Sequence, residues 1–270
     1  MSIFWNFYSQ LVKKYQLTKK DGICFIALGF ARSGTSMIGQ MLESAEVSFG
    51  QQKDMKQVDI RNPKGFFEHN DVFRLSRIFL TEAGFQDDLP DVTINFRAKG
   101  IVARMKRVYT RFRMQKVLHK IAQGKQKWGI KLFPNFLYFW KSYIPQRKVM
   151  AIYRNPTAVV ESFMRAWGPG KFTAEQVLRF WTLANKDVLY HVTTNDAILI
   201  SYEDIVDKEK RGALLPRIAE FTGGTMEGLE KVFDSNLNRS ADITQALRKK
   251  YPFSQDMINV YNALEQNKLQ

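Results

Sequence analysis

Residues 29–36 combine the residue types that bind anionic groups through the backbone. They read Gly-Phe-Ala-Arg-Ser-Gly-Thr-Ser and follow an apolar run, Ile23–Leu28, rich in strand-forming residues. A helical pattern comes directly after them. Paired glycines between a strand and a helix are typical of loops whose backbone N–H groups cradle a phosphate. The segment therefore predicts an anion site at a helix N-terminus.

The same segment departs from the phosphate loop of nucleoside triphosphatases at one position. Thr35 stands where that loop has the lysine that reaches the β- and γ-phosphates. The cation comes earlier instead, at Arg32, before Ser33 and Gly34. This order favours an anion with a shorter phosphate chain than that of ATP or GTP.

A second cationic position follows another predicted strand. Arg154 ends an apolar run, and Asn155 and Pro156 form a helix start, with asparagine as N-cap and proline in the first turn. Ser162 lies on the second turn of that helix. A guanidinium and a hydroxyl at this spacing can hold another phosphate. The alternative is that Arg154 pairs with a carboxylate while Ser162 faces solvent.

Strand-like and helical patterns alternate along the chain. We predict strands at residues 23–28, 128–132, 148–153 and 197–201, and helices at residues 36–43, 70–83, 97–127, 156–167 and 174–191, with more helix after them. This alternation predicts an α/β fold with a central parallel sheet flanked by helices, in the three-layer arrangement of P-loop nucleotide-binding proteins. Ligands of such sheets bind beyond the carboxyl ends of the strands. We expect one domain over residues 1–270.

The composition narrows the class of ligand. The formal net charge of +15 attracts anions such as nucleotides, acidic glycans or phospholipid surfaces. The single cysteine, Cys24, lies in the first apolar run and cannot form an internal disulfide, which favours a reducing compartment and a buried thiol. Three scattered histidines give no metal-ligand spacing, so we expect no metal site.

The positive charge is concentrated at residues 97–127, which hold eleven Lys or Arg and no Asp or Glu. Apolar residues recur there at helical spacing and predict a long amphipathic helix with a basic outer face. That face is either a solvated surface or a docking face for an acidic acceptor or an anionic membrane. Residues 1–20 predict an N-terminal helix, packed on the domain or lying on a membrane.

Taken together, these segments resemble the PAPS-dependent sulfotransferases, PAPS being 3′-phosphoadenosine-5′-phosphosulfate. Arg-Ser-Gly-Thr-Ser at residues 32–36 resembles their 5′-phosphosulfate loop, and Arg154 with Ser162 eight residues later resembles their 3′-phosphate site. Tyr202-Glu-Asp resembles the segment whose tyrosine contacts adenine. Residues 62–68 and 128–131 are similar to segments of bacterial members. The similarity covers residues 22–222.

The resemblance implies how PAPS is bound. The backbone of Ser33, Gly34, Thr35 and Ser36, together with the Thr35 and Ser36 hydroxyls, holds the 5′-phosphosulfate. Arg32 neutralises the charge that grows on the bridging oxygen as the sulfonyl group departs.

In the same way, Arg154 and Ser162 hold the 3′-phosphate, which distinguishes PAPS from ATP, and Tyr202 contacts the adenine. The product is 3′,5′-adenosine bisphosphate. Fixed cations carry out the electrostatic work, so the resemblance implies no metal.

The sequence leaves the catalytic base open. Lys131 matches a family lysine that touches the sulfonyl group, but Leu-Phe-Pro follows it and the histidine of the cytosolic members is missing. The early glutamate of the Golgi tyrosyl-type members is missing too. Glu68 is our preferred base, His69 the second and Asp54 the third. A carboxylate that serves the dipole of the next helix is the alternative role of Glu68.

Two other classes of function stay open at this point. A P-loop kinase or other nucleotide-dependent phosphotransferase would need a lysine at position 35, where this sequence has threonine, and acidic residues that bind a metal ion. A non-catalytic nucleic-acid or membrane binder would use the basic stretch, but no RNA-binding aromatic signature accompanies it, and we expect no nucleic-acid partner. The sequence does not identify the acceptor; the basic surface favours an acidic glycan, another saccharide or a lipid-linked group, with a small alcohol as the alternative. PAPS is made in the cytosol, and we expect a cytoplasmic enzyme, either free or peripheral to the inner face of the membrane.

Overall fold

A parallel sheet forms the centre of the fold. The computed structural model describes residue 10 and residues 13–57, 65–82, 101–168, 170–233 and 251–269. Within this part, four strands are present: β1 (Ile23–Leu28), β2 (Lys127–Leu132), β3 (Arg147–Tyr153) and β4 (Ala197–Ser201). They are all parallel and lie in the order β2-β1-β3-β4. The predicted strands are confirmed, with β2 and β3 each beginning one residue earlier than expected.

Helices connect and cover the strands. In chain order, the described ones are α1 (Thr35–Ser44), α2 (Asn70–Glu82), α3 (Ile101–Ala122), α4 (Pro134–Trp140), α5 (Pro156–Trp167), α6 (Ala174–Thr194), α7 (Tyr202–Val206), α8 (Lys208–Thr222), α9 (Met226–Glu230) and α10 (Gln255–Asn267). The predicted cap of α5 is confirmed: the Asn155 side chain accepts the N–H of Thr157 at 3.0 Å, and Pro156 occupies the first turn.

The sheet separates two apolar cores, because successive side chains of a strand point to opposite faces. Cys24, Ile26 and Leu28 of β1 pack with residues of α2 to α6 and α10. Phe25 and Ala27 pack with residues of α1 and α7 to α9. Helices therefore cover both faces, and the predicted three-layer α/β architecture is confirmed. Burial raises the pKa of the Cys24 thiol well above its ordinary value, which fits the buried thiol expected from the sequence.

The strand order places a crevice between β1 and β3. The chain leaves β1 and forms β2 on one side of it, whereas β3 lies on the other side. Ligands of open parallel sheets bind at such a reversal, outside the carboxyl ends of the strands. The loop after β1 and the residues after β3 are the two segments that the sequence marked as anion sites, and they meet at this edge.

The predicted basic helix is confirmed, with a narrower extent. Helix α3 ends at Ala122, and Gly124 follows with a φ of 69°, a conformation that ends helices and that glycine adopts readily. Residues 97–100 lie outside the described part. Along residues 108–122 Met114, Leu118 and Ile121 are buried, and lysines and arginines of the opposite face are exposed.

The N-terminal segment packs on α3 where it is described. Residues 13–15 are helical, but the chain leaves the helix at residues 16–18, so the predicted helix does not run unbroken to residue 20. The centre of the Tyr15 ring lies 5.7 Å from the centre of the Phe112 ring and 5.5 Å from that of the His119 ring. Leu17 is buried. Residues 1–9 and 11–12 lie outside the described part. Among the helices that the structure describes, none has the length and apolarity that crossing a bilayer requires.

Candidate anion-binding site

The loop after β1 has the backbone shape of an anion cradle. Arg32 and Gly34 have φ values of 65° and 97°, in the left-handed region that few residues other than glycine adopt. A Cβ on Gly34 would lie 2.5 Å from the Tyr202 ring, so only glycine fits there without a shift. A non-glycine residue in this region is strained, and such strain concentrates at functional sites. The strained residue here is the cation of the loop.

Helix α1 begins at this loop and directs its N-terminus toward the crevice. The Gly34 carbonyl accepts the N–H groups of Met37 and Ile38. The N–H groups in the first turn of a helix have no carbonyl of a preceding turn to donate to, so a helix N-terminus suits an anion. The Ser33 hydroxyl is fully buried and has no hydrogen-bond partner among the described residues. A buried, unsatisfied hydroxyl in an anion loop fits a ligand oxygen, because leaving it unpaired costs stability.

The two predicted anion sites touch each other. Arg32 Nε donates to Ser162 Oγ at 3.0 Å, and Arg154 Nη1 donates to the Arg32 carbonyl at 3.2 Å. Ser162 is buried, so the alternative in which its hydroxyl simply faces solvent is wrong. The structure thus joins two segments more than 120 residues apart into one cationic site.

Arg154 is held by aromatic and backbone groups. Its guanidinium carbon lies 4.3 Å from the centre of the Tyr202 ring, a cation–π contact. The buried indole of Trp181 donates to the Arg154 carbonyl at 3.0 Å, and Glu203 Oε1 accepts the N–H of Asn155 at 3.1 Å. Burial lowers the pKa of Arg154, and it raises the pKa of Glu203. The guanidinium is therefore fixed in a partly desolvated position, where charge interactions are strong.

Lys131 brings a third cation to the phosphate loop. Its Nζ donates to Ser36 Oγ at 3.1 Å and to the Phe66 carbonyl at 2.7 Å, and it lies 3.2 Å from Glu68 Oε1. Burial lowers the pKa of Lys131, and the Glu68 carboxylate opposes that change. The sequence marked Lys131 and Ser36 separately, and the structure places them in contact.

The Glu68 carboxylate lies between two ammonium groups. Its second oxygen, Oε2, lies 3.1 Å from Lys56 Nζ. At the start of α2, His69 Nδ1 accepts the N–H of Asp71 at 3.2 Å. The Glu68 carboxylate is linked to Ser36 of the phosphate loop through Lys131.

The other two candidate bases are engaged elsewhere. His69 is buried, which lowers its pKa, and its Nδ1 accepts a backbone hydrogen bond, so the neutral ring carries its proton on Nε2. Asp54 Oδ2 lies 2.8 Å from Lys120 Nζ of α3, and this hydrogen bond lowers the pKa of the carboxyl. The assignment of the base stays a prediction.

Three residues that shape the site were not among the candidates from the sequence: Trp181, Lys56 and Glu203. They contact the Arg154 carbonyl, the Glu68 carboxylate and the Asn155 N–H, respectively. Trp181 and Lys56 follow no pattern that points to the site, whereas Glu203 directly follows Tyr202 in the Tyr-Glu-Asp segment. Within the described residues, no three His, Cys, Asp or Glu side chains come together as a metal-binding group.

Comparison with solved structures identifies the fold. No protein-family model and no characterised protein sequence matches the chain. The sulfotransferase domain of the Synechococcus PCC 7002 olefin synthase is similar, with a TM-score of 0.51 and 17% identity, over 90% of this chain and 94% of that one. The sulfotransferase domain from the curacin biosynthetic pathway has a TM-score of 0.49 and 16% identity, over 90% of this chain and 97% of that one. A retinol dehydratase in complex with retinol and PAP has a TM-score of 0.44 and 12% identity, over 96% of this chain and 85% of that one. The chain therefore has the fold of the sulfotransferases.

The unequal hydrogen bonding of two serines gives a test of the site. We expect Ser33→Ala to leave the free energy of unfolding unchanged or to raise it, because the substitution removes an unsatisfied buried hydroxyl. Ser162→Ala removes the acceptor of Arg32 Nε and should cost about 0.5–1.5 kcal/mol. Urea unfolding of both variants measures the difference. A larger loss in Ser33→Ala than in Ser162→Ala would contradict this description of the loop.

Proposed function

We propose that the protein is a sulfotransferase that moves the sulfonyl group of PAPS to a hydroxyl or amine acceptor. The observation that carries the proposal is the convergence of Arg32, Arg154 and Ser162 at the crevice between β1 and β3. The similarity in fold to a sulfotransferase domain supports it.

The arrangement of the cations fits a nucleotide with phosphate groups at two separate positions. The loop at residues 32–36 would take the 5′-phosphosulfate on its backbone N–H groups and hydroxyls. Arg154 and Ser162 would take the 3′-phosphate, and Tyr202, whose ring already contacts Arg154, would border the adenine. We call residues 32–36 and the pair Arg154 and Ser162 the two grips, meaning the two phosphate-binding positions. ATP carries all of its phosphates in one chain and would leave one of the two grips unoccupied.

The reaction follows from this arrangement. The bond between sulfur and the bridging oxygen breaks, a bond between sulfur and the acceptor oxygen or nitrogen forms, and the acceptor loses a proton to a base. Negative charge grows on the bridging oxygen, where Arg32 and the N-terminus of α1 stabilise it. Lys131 would stabilise the sulfonyl oxygens, because its Nζ lies against Ser36 of the loop.

Glu68 is our proposal for the base. Its carboxylate lies one ammonium group away from the phosphate loop, whereas His69 caps α2 and Asp54 pairs with Lys120.

For the acceptor we propose an anionic saccharide, glycan or lipid-linked group, since Arg111, Lys116 and other cations of α3 are exposed. Cytoplasmic location, with or without contact at the inner face of the membrane, stays a prediction.

Nucleotide preference tests the proposal without an acceptor. We expect 3′,5′-adenosine bisphosphate to bind without Mg²⁺ and at least tenfold more tightly than ADP, because only the bisphosphate engages both grips. Arg154→Ala should weaken its binding by about tenfold to a hundredfold, the effect of losing a charged hydrogen bond, and should erase most of the preference. Isothermal titration calorimetry measures both affinities.

The control is Arg74→Ala, which removes an exposed arginine paired with Asp71 on α2 and should leave both affinities unchanged. Equal binding of ADP, or Mg²⁺-dependent preference for ATP, would contradict the proposal and favour a phosphotransferase. Salt-sensitive binding of a nucleic acid without binding of the bisphosphate would favour the non-catalytic alternative.

The role of Glu68 is tested by comparing turnover with binding. We expect Glu68→Gln to reduce turnover of labelled PAPS by about a hundredfold or more, the effect of losing a general base, and to keep the affinity for 3′,5′-adenosine bisphosphate within about threefold. His69→Gln and Asp54→Asn serve as the matched comparisons and should keep most of the turnover. The acceptor for this assay is chosen by screening candidate alcohols and saccharides with labelled PAPS. If none reacts, turnover is measured as the hydrolysis of PAPS, in which water is the acceptor. Full turnover in Glu68→Gln would transfer the role to another residue.

A further inference from the structure

Residues 55–56 form a clip with residues 68–70 that fixes the place of Glu68. The Lys56 N–H donates to the Glu68 carbonyl at 2.8 Å, and Met55 forms an antiparallel bridge with His69. The side-chain amide of Asn70 donates to the Met55 carbonyl at 3.1 Å. The backbones around Lys56 and Glu68 are therefore held in register, so the contact between the two side chains has a rigid base.

The side chain of Lys56 continues this arrangement toward the site. Its Nζ lies 3.1 Å from Glu68 Oε2 and 4.2 Å from the centre of the Phe66 ring. The other carboxylate oxygen lies 3.2 Å from Lys131 Nζ, which donates to Ser36. Each oxygen of Glu68 therefore has its own ammonium partner, and the series of contacts ends at the phosphate loop.

Exposure falls along this series. The exposed fraction of the side chain is 43% for Lys56, 15% for Glu68 and 9% for Lys131. Lys131 is fixed by a hydroxyl and a carbonyl from two other segments, so its place does not depend on Glu68 alone. Lys56 is the partner on the solvent side, and it is the contact that can be changed without opening the core.

We propose that Lys56 is a positioning residue for Glu68: it holds Oε2 so that Oε1 stays directed at Lys131 and the phosphate loop. The inference rests on the proposed function only where it concerns turnover. Among the described residues, the charge of Arg32, like that of Lys56, lowers the pKa of Lys131, and the Asp54 carboxylate lies on the side of α2, where it acts on the pKa of His69.

The test is a crystal structure of the full chain with Lys56 replaced, compared with that of the unsubstituted protein. In Lys56→Met we expect the Glu68 carboxylate to turn away, so that Oε1 no longer lies within hydrogen-bond distance of Lys131 Nζ. Lys56→Arg keeps a cation beside Oε2 and should preserve that contact. Lys53→Met removes a charge from the same loop and should leave the carboxylate in place.

PAPS turnover gives the second readout. Turnover of labelled PAPS should fall by about tenfold to a hundredfold in Lys56→Met, because a displaced catalytic group costs rate, and it should return in Lys56→Arg, with the affinity for 3′,5′-adenosine bisphosphate unchanged in both. An unmoved Glu68 carboxylate and full turnover in Lys56→Met, or the same changes in Lys53→Met, would overturn the inference. If the unsubstituted protein fails to bind the bisphosphate, the proposed function fails, and the crystal structure of Lys56→Met still decides the role of Lys56.

Discussion

Two hydrogen bonds of Arg32 hold the candidate site together. Its carbonyl accepts from Arg154 at the end of β3, and its side chain donates to Ser162 on α5. The loop after β1 is thereby tied to the strand on the far side of the crevice. Arg32, with a φ of 65°, thus contacts two different partners through its carbonyl and its side chain. Without that link the two anion sites would be independent loops.

The site holds two cations that are largely excluded from solvent. Arg154 is buried and the Lys131 side chain is 9% exposed, and isolated buried charges are costly. Carbonyl oxygens, an aromatic ring and one carboxylate offset part of that cost: the Arg32 and Phe66 carbonyls, the Tyr202 ring and Glu68. The remaining positive potential is what an anionic nucleotide would neutralise. Pre-organised charge of this kind also stabilises a transition state in which negative charge moves to a leaving oxygen.

Much of this arrangement could be predicted from the sequence. The strand periodicity at residues 23–28 and 197–201, and the Asn-Pro start of α5, are local signals, and local signals predict elements well. Parallel strands then bring their carboxyl ends to one edge, which is why Arg32 and Arg154 could be assigned to the same site.

The rest depends on contacts between distant segments. The hydrogen bond between Trp181 and the Arg154 carbonyl, and the clip between Lys56 and Glu68, join positions that no periodic pattern relates. The choice among Glu68, His69 and Asp54 was open for the same reason: three polar residues in irregular segments acquire different surroundings only when the chain folds. The end of α3 at Ala122 depended on a single glycine, whose effect a long basic run concealed.

The most direct test of the central claim is a crystal structure of the protein with 3′,5′-adenosine bisphosphate. If the two grips form one nucleotide site, the 5′-phosphate will lie on the backbone of residues 33–36 and the 3′-phosphate against Arg154 and Ser162 of the same molecule. A nucleotide bound with both phosphates away from these residues, or with only one grip occupied while the other stays closed by protein contacts, would contradict the account.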